Sequence, residues 1–168
     1  MKLINSMLES TPSSNLPELK KLSEYLTETE SQLSAFWLIS PGLKAVAKDG
    51  RFIKLNPTWT KVLGYSLAEL MAVDYVEFIH PDDVKDTSEI ERCLDDNYVV
   101  SNFRNRYKHK YEDRWVVIEW HAKKDLYSGL TYASGIDKTK EVQQELELQK
   151  ALNEANLLRT AINSLPTL

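Results

Sequence analysis

One stretch constrains the fold more than any other part of the chain. It runs from Asp49 to Asp83 and reads DGRFIKLNPTWTKVLGYSLAELMAVDYVEFIHPDD. The Asp49-Gly50 pair is a tight-turn signal between two short apolar segments, AVA and FIKL, which predicts a hairpin of two β-strands. Asn56-Pro57 then ends the second strand, because proline cannot continue a strand ladder.

The same stretch predicts several short helices in close succession. Pro57 fits the first turn of a helix that has Trp59, Val62 and Leu63 on one face, and Gly64 ends it. The next helix starts with a capping box formed by Ser66 and Glu69, and its apolar residues Leu67, Leu70 and Met71 are expected to face inward. A longer helix starts at His80-Pro81, and its inward face is expected to comprise Val84, Thr87, Ile90 or Glu91, and Leu94.

Three longer strands are predicted to follow that helix, over residues 98–110, 114–124 and 130–136. In the first of them, Ser101, Phe103, Asn105 and Tyr107 are expected to share one face, opposite the basic residues 104, 106 and 108. The second strand is apolar on both faces. Because such a strand is buried on both sides, we expect a terminal helix to cover the outer side of the sheet.

The quoted stretch, together with FRNRYKHKYEDRWVVIEW and GIDKTKE further along, resembles the PAS sensor-domain family over roughly residues 36–141. The order and spacing of these segments carry the resemblance, since each is weak alone. The resemblance implies an α+β fold: a five-stranded antiparallel sheet with short helices on one face, enclosing a small cavity. An N-terminal helix and a C-terminal coiled-coil-like helix are expected to flank it.

We therefore expect three parts. Residues 1–35 are a leader and flanking helix, 36–137 the PAS domain, and 138–168 a signalling helix that leads to a downstream domain outside this sequence. The last part repeats apolar residues at alternating spacings of three and four, as in a two-stranded coiled coil: Leu148, Ala151, Ala155, Leu158, Ile162 and Leu165. This predicts a homodimer through the terminal helices. The N-terminal helix either packs on the sheet or forms part of the dimer contact.

Composition excludes several classes of protein. The chain carries a net charge of −4 and its basic cluster, Arg104 to Lys110, is interpreted as one solvated strand face, so no nucleic-acid binding is expected. No apolar run approaches the ~20 residues that span a bilayer, so no membrane contact is expected in this fragment. The single cysteine, Cys93, allows no internal disulfide, and a cytoplasmic location is the default expectation.

Catalytic and metal-binding motifs are missing from the sequence. There is no glycine-rich phosphate loop, no HExxH, no CxxC and no GxSxG, and the three histidines lack the spacing of metal ligands. We therefore expect no catalytic residues, no metal site and no enzymatic activity in this fragment, although the parent protein is a candidate histidine kinase.

The resemblance makes haem and flavin the cofactors to consider, and the residues disfavour both. Covalent flavin photosensors of the family use a cysteine in a GxNCRFLQ-type motif, whereas the corresponding run here, DYVEFIHPDD, has none. Cys93 lies later, on the long helix, where it is expected to be a small core residue. Haem-binding relatives place a histidine on that helix, and none occurs between Val84 and Asp95. Noncovalent flavin could use Trp59, Asn105 and Tyr107, but these also fit an ordinary core, so the cofactor is none or unknown.

A cavity for a small-molecule ligand is expected instead, lined by aromatic and polar side chains. The candidates are Asn56, Trp59, Phe103, Asn105, Tyr107, Glu119, Tyr132 and Ser134. If Glu119 faces inward, its carboxyl group must be paired or protonated, because an isolated buried charge is costly. The alternative is that it faces outward and pairs with Arg104 or Arg106 across the strands.

The resemblance implies that the signal leaves through the junction between the last strand and the C-terminal helix. Asp137 and Thr139 match the outer positions of the family's Asp-aliphatic-Thr motif, and Lys138 departs from it. Asp137 is also expected to cap the helix. The expected function is therefore a cytoplasmic sensory module, most simply the input domain of a sensor histidine kinase. The alternatives are a ligand-free dimerisation or adaptor module and the input domain of a cyclic-dinucleotide cyclase or phosphodiesterase.

Overall fold

The computed structural model describes residues 16–94 and 99–164. The chain divides into two compact units, Met1–Ser40 and Pro41–Leu168. Within the first unit, helix α1 spans Leu16–Ile39. The predicted N-terminal helix is confirmed, and it continues through Phe36 and Trp37 to the end of the unit.

The second unit contains a five-stranded antiparallel sheet and short helices. Its strands are β1 (Leu43–Lys48), β2 (Arg51–Leu55), β3 (Val100–Lys108), β4 (Trp115–Asp125) and β5 (Leu130–Asp137). Its helices are α2 (Thr58–Leu63), α3 (Leu67–Ala72), a 3₁₀ helix (Tyr75–Phe78), α4 (Pro81–Cys93) and α5 (Thr139–Asn163). The strand order is β2-β1-β5-β4-β3, and every pair is antiparallel. The predicted α+β class and sheet are confirmed.

Local signals in the sequence act as expected between β1 and α3. Asp49 and Gly50 have φ angles of 50° and 80°, as in the type I′ turn that Asp-Gly favours. Gly64 ends α2 in the left-handed conformation, with φ of 81°. Both hydrogen bonds of the predicted capping box between Ser66 and Glu69 are present at the start of α3.

A β-bulge in β3 changes which residues face the core. Val100 pairs with Ala122 and Phe103 pairs with Trp120, so two residues of β3 lie opposite one residue of β4. Val100 is therefore buried, whereas Ser101 is exposed. The prediction that Ser101 shares the face of Phe103 is wrong, because the extra residue reverses the alternation before that point.

The hydrophobic core lies between the inner face of the sheet and the short helices. Trp59, Leu63 and Leu70 are completely inaccessible to solvent. On β4 the predicted alternation is confirmed: Val116, Ile118 and Trp120 are buried on the inner face, and Trp115 and Val117 are half-buried on the other. Part of the outer side is covered by the start of α5, where the backbone N–H of Lys138 donates to the carbonyl of Val117 at 2.8 Å.

One residue of α4 is placed differently from the prediction. Cys93 is exposed, whereas it was expected in the core. The inward positions of the helix are spaced by three and four residues, and this face continues to the buried Leu94, so the preceding position points outward. The predicted turn at residues 95–97 and the last coiled-coil position, Leu165, lie outside the described residues. Within the described part of the chain, no helix combines the length and apolar character that a bilayer span requires.

Candidate functional site

A cavity of about 90 Å³ lies between the inner face of the sheet and α4. Its sheet side is formed by small inward side chains that leave space above the strands: Ala45, Ala47, Ala122 and Ala133. Its helix side is formed by Thr87, Ile90, Glu91 and Leu94. Because these positions recur every three or four residues, they form one face of α4. The cavity therefore exists where a helix face meets strands that carry alanine instead of larger residues.

Aromatic rings enclose much of the remaining surface of this cavity. Phe52 and Tyr75 contribute from the side of β2 and the 3₁₀ helix, and Phe103, Tyr107 and Trp120 contribute from β3 and β4. The ring centroids of Phe52 and Tyr75 are 5.3 Å apart, and those of Tyr107 and Trp120 are 6.0 Å apart. Such packed rings give the cavity a rigid, mostly apolar wall.

A chain of hydrogen bonds connects the strands to α4 at the cavity. The indole N–H of Trp120 donates to the Asn105 side-chain oxygen at 2.7 Å. The Asn105 amide donates to the Thr87 hydroxyl at 3.1 Å, and that hydroxyl donates to the carbonyl of Asp83 at 2.7 Å. Asn105 is buried, so these bonds satisfy a polar group that would otherwise be costly in the core. A displacement of α4 is therefore linked to the inner face of β4.

Both tyrosines at the cavity are neutral phenols at physiological pH. Burial raises the pKa of the Tyr107 hydroxyl. Burial, together with a hydrogen bond to the Glu91 carboxylate, raises the pKa of Tyr75. Tyr75 thus stays protonated beside Glu91 of α4.

The start of α5 is bonded directly to the sheet. The Asp137 carboxylate accepts hydrogen bonds from the backbone N–H and the hydroxyl of Thr139, at 2.9 and 2.6 Å. The same hydroxyl accepts a bond from the backbone N–H of Val117 at 3.0 Å. The formal N-cap position is Lys138, one residue later than predicted, yet the Asp137 side chain still satisfies an N–H of the first turn. Lys138 pairs with Glu141 at 3.2 Å.

The basic residues of β3 and its hairpin are paired with carboxylates. Arg106 forms a two-pronged bond to Asp83, and Lys108 and Lys110 pair with Asp113 and Glu69 at 2.6 and 2.7 Å. His109 differs from the prediction of a solvated face. It is buried, and its Nδ1 accepts from the backbone N–H of Glu112 at 3.0 Å, which organises the hairpin tip between β3 and β4.

Residues 52–127 match the family model of the PAS fold. The five-stranded antiparallel sheet and the small cavity are also the features that the resemblance to this family implied. The second unit has the PAS fold. A PAS domain is a sensory module that does not itself carry out catalysis. A search of curated protein sequences gave no match.

Solved structures that resemble this PAS domain include three with the same fold. The PAS domain of an HTR-like protein from Haloarcula marismortui is 23% identical, with a TM-score of 0.59, covering 70% of this chain and 98% of that one. A domain of a sensory box sensor histidine kinase/response regulator from Geobacter sulfurreducens is 14% identical, with a TM-score of 0.54, covering 67% and 96%. A PAS domain from a two-component sensor histidine kinase is 16% identical, with a TM-score of 0.53, covering 67% and 99%.

The PAS cavity includes three of the eight ligand-pocket candidates: Phe103, Asn105 and Tyr107. Asn56 and Trp59 are buried, but their polar side-chain atoms bond to backbone groups at the start of β1. The Asn56 side chain accepts from the N–H of Lys44 and donates to the carbonyl of Gly42, both at 2.9 Å. The Trp59 indole donates to the carbonyl of Lys44 at 3.0 Å. These two residues therefore hold the start of β1 and do not line the cavity.

The other three candidates lie on the outer face of the PAS sheet. Ala133 pairs with Ala45 and Ala122 on the inner face, so its neighbours Tyr132 and Ser134 point the other way. Glu119 also faces outward and accepts a bond from Arg104 at 2.7 Å, which is the alternative considered from the sequence. The prediction that these three residues line the cavity is therefore wrong, because the strand register places them on the outer face.

The predicted set missed most of the cavity lining, including four residues with larger polar or aromatic groups: Tyr75, Thr87, Glu91 and Trp120. The sequence held a signal for three of these four. The helical spacing predicted Thr87, and Ile90 or Glu91, on the inward face of α4, and the alternation of β4 placed Trp120 beside Ile118 on one face. Among the described residues, no group of three or more histidine, cysteine, aspartate or glutamate side chains is arranged to hold a metal ion.

Proposed function

We propose that this PAS domain is the cytoplasmic input module of a sensor histidine kinase. Occupation of its cavity by a small molecule changes the position of β4, and α5 carries that change to a downstream signalling domain. Two of the similar structures come from sensor histidine kinases, which supports the choice of output. In this proposal residues 36–137 are the sensing domain and 138–168 the signalling helix.

The observation that carries the proposal is the bond between Thr139 and Val117. Val117 lies three residues before Trp120, which forms part of the cavity wall. A single strand therefore contacts the candidate ligand site with one side chain and holds the first turn of α5 with its backbone. A ligand that favours one arrangement by only ~1–3 kcal/mol is sufficient to bias an output equilibrium.

Dimerisation belongs to the same proposal. The apolar residues of α5 at coiled-coil spacing, including Leu148 and Leu158, are exposed. An isolated helix of this length is marginal in water, so it gains stability by pairing with a second copy.

The relay is tested by Asp137→Ala in the full-length protein, with Asp125→Ala as a matched control. Asp125 also accepts two turn hydrogen bonds, from Tyr127 N–H and the Ser128 hydroxyl, but in the hairpin between β4 and β5. We expect Asp137→Ala to change autophosphorylation several-fold while Tm falls only slightly, and Asp125→Ala to affect Tm alone. Equal effects of both variants on kinase output would contradict the relay.

A second candidate function is a ligand-free dimerisation or adaptor module. The small cavity favours it, since pockets for drug-sized ligands usually measure about 300–1,000 Å³. Native mass spectrometry of the purified protein separates the two. A retained small molecule supports sensing, whereas an empty protein that no compound stabilises in a thermal-shift screen supports the adaptor.

A further inference from the structure

The described side chains that line the cavity include a negatively charged group but no positively charged one. Of the described residues that line it, Glu91 alone carries a charge, and neither lysine nor arginine contributes. Glu91 is half-buried on α4 and lines the cavity near the Tyr75 hydroxyl, whose pKa it raises. A carboxylate has acceptor capacity for several hydrogen bonds, so Glu91 retains room for another donor. An anionic ligand would meet this carboxylate with no compensating cation.

The aromatic wall favours the opposite charge. Tyr75, Phe103, Tyr107 and Trp120 all contribute ring surface to the same cavity. The face of an aromatic ring attracts a cation within about 6 Å, and more strongly where water is excluded. Of the other polar groups, Asn105 is already engaged, since its side chain bonds both Trp120 and Thr87. A ligand that balances the charge of this cavity therefore carries a positively charged group beside Glu91.

We propose that the cavity binds a small organic ammonium ion, with its charged group on Glu91 and its hydrocarbon part against the alanine-lined sheet and the aromatic rings. This inference rests on the proposed sensory function and names the chemical class of its ligand. Size limits the class further. A dry cavity of about 150 Å³ in another protein accepts benzene, and this one measures about 90 Å³. The ligand is a compact amine with a short branched or cyclic hydrocarbon part.

Three matched probes test the proposal: isobutylamine, which is charged at pH 7, isobutanol and isobutyrate. Binding is followed by NMR through the indole N–H of Trp120 and the side-chain amide of Asn105. The indole N–H of Trp115, on the outer face of β4, serves as an internal control. We expect isobutylamine to shift the first two signals, with a Kd at least tenfold lower than that of isobutanol, and isobutyrate to shift neither.

Variants assign the selectivity to one residue. Glu91→Gln keeps the size of the side chain and one acceptor oxygen but removes the charge, so it should remove the preference for isobutylamine over isobutanol while both still bind. Glu89→Gln removes the same charge from an exposed position on α4 and should leave the preference intact. Ala133→Leu fills the cavity from β5 and should abolish binding of both probes.

The outcomes separate this inference from the proposed function. If isobutanol or isobutyrate binds as tightly as isobutylamine at the cavity signals, the ammonium class is wrong and the sensory cavity stands. The class is also wrong if Glu91→Gln retains the full preference. If none of the probes shifts Trp120 or Asn105 and no small molecule is retained by the purified protein, both proposals fail.

Discussion

The side-chain hydroxyl of Thr139 accepts a hydrogen bond from the backbone N–H of Val117 at 3.0 Å. Replacing it in Thr139→Val keeps the shape of the side chain but leaves the Val117 N–H without this acceptor. We expect the free energy of unfolding to fall by about 1–2 kcal/mol. Amide hydrogen exchange should accelerate most at Val117 and in the first turn of α5.

Thr160→Val is the control for this change. Its hydroxyl donates only to the carbonyl of Asn156 on the exposed surface of the same helix, at 2.9 Å. This variant should leave exchange at Val117 unchanged. The same acceleration in both variants would show that the Thr139 bond does not hold the junction.

The pair formed by Asp83 and Arg106 predicts a pH dependence of stability. Bonds from the Arg106 side chain, with one from its backbone N–H, hold the pKa of Asp83 below its usual value. The stabilisation by the ionised carboxylate is therefore complete above pH ~4, near the unfolded pKa. It is lost as the pH falls through the lower, folded pKa.

Asp83→Asn should accordingly cost about 1–3 kcal/mol at pH 7, since the bonds to a charged group are lost and this carboxylate is only partly exposed. The difference from the wild type should shrink as the pH falls below 4. Urea denaturation at a series of pH values measures it. Asp86→Asn, at an exposed position of the same helix, should show no comparable cost, and a difference that persists unchanged at acid pH would refute the assignment.

Glu69 predicts a second titration. A hydrogen bond from Lys110, aided by the bonds to Ser66, lowers the pKa of the Glu69 carboxyl group to about 2. In Lys110→Met we expect this pKa to rise toward the ordinary value of 4.5, because the first of these causes is removed. Carboxyl ¹³C NMR titration measures it directly. A pKa that does not move would show that the capping bonds alone are sufficient.

Gly135 on β5 predicts a steric effect at the cavity wall. A Cβ atom there would lie 2.6 Å from the Trp120 ring and 2.7 Å from the Ile118 side chain. We expect Gly135→Ala to destabilise the domain by about 1–3 kcal/mol, because a packed core resists added volume. The Trp120 indole N–H signal should move at the same time.

Gly50→Ala provides the comparison for Gly135. A Cβ at Gly50 would meet no atom within 4 Å, and only its positive φ of 80° opposes the substitution. Thermal or urea denaturation should show some loss of stability and no change at Trp120. A shift of the Trp120 signal in this variant as well would argue against a local steric cause.

The proposed coiled coil predicts different results for two adjacent leucines. Leu158 lies on the seam and Leu157 does not, although the two are similarly exposed, at 65% and 71%. Leu158→Glu should convert a dimer to a monomer in analytical ultracentrifugation, whereas Leu157→Glu should not. Equal effects, or no dimer in the wild type, would refute pairing through α5.

The parts of the fold that were predicted correctly depend on neighbours in sequence. The Asp49-Gly50 turn, the stop at Gly64 and the capping box at Ser66 each involve a few adjacent residues with strong conformational preferences. The parts that were wrong depend on pairing between distant strands. Alternation shows which residues share a face of a strand, but not which face is inside.

Strand β5 shows this limit most clearly. Tyr132 and Ser134 have the chemistry of a binding site, and Ala133 between them looks unremarkable in the sequence. The pairing of Ala133 with Ala45 and Ala122 places the small residue inside, where it forms the cavity. The bulge at Ser101 follows in the same way from strand pairing that no local pattern specifies.

The alternation of β4 has a mechanical consequence. Trp120 and Val117 are three residues apart on an extended backbone, a span of about 10 Å. An extended strand is close to its maximum length and cannot stretch, so in the proposed relay a sliding of β4 at Trp120 also moves the start of α5. The distance between the proposed ligand site and the start of α5 is thereby fixed by covalent geometry, and substitutions in the surrounding loops leave it unchanged.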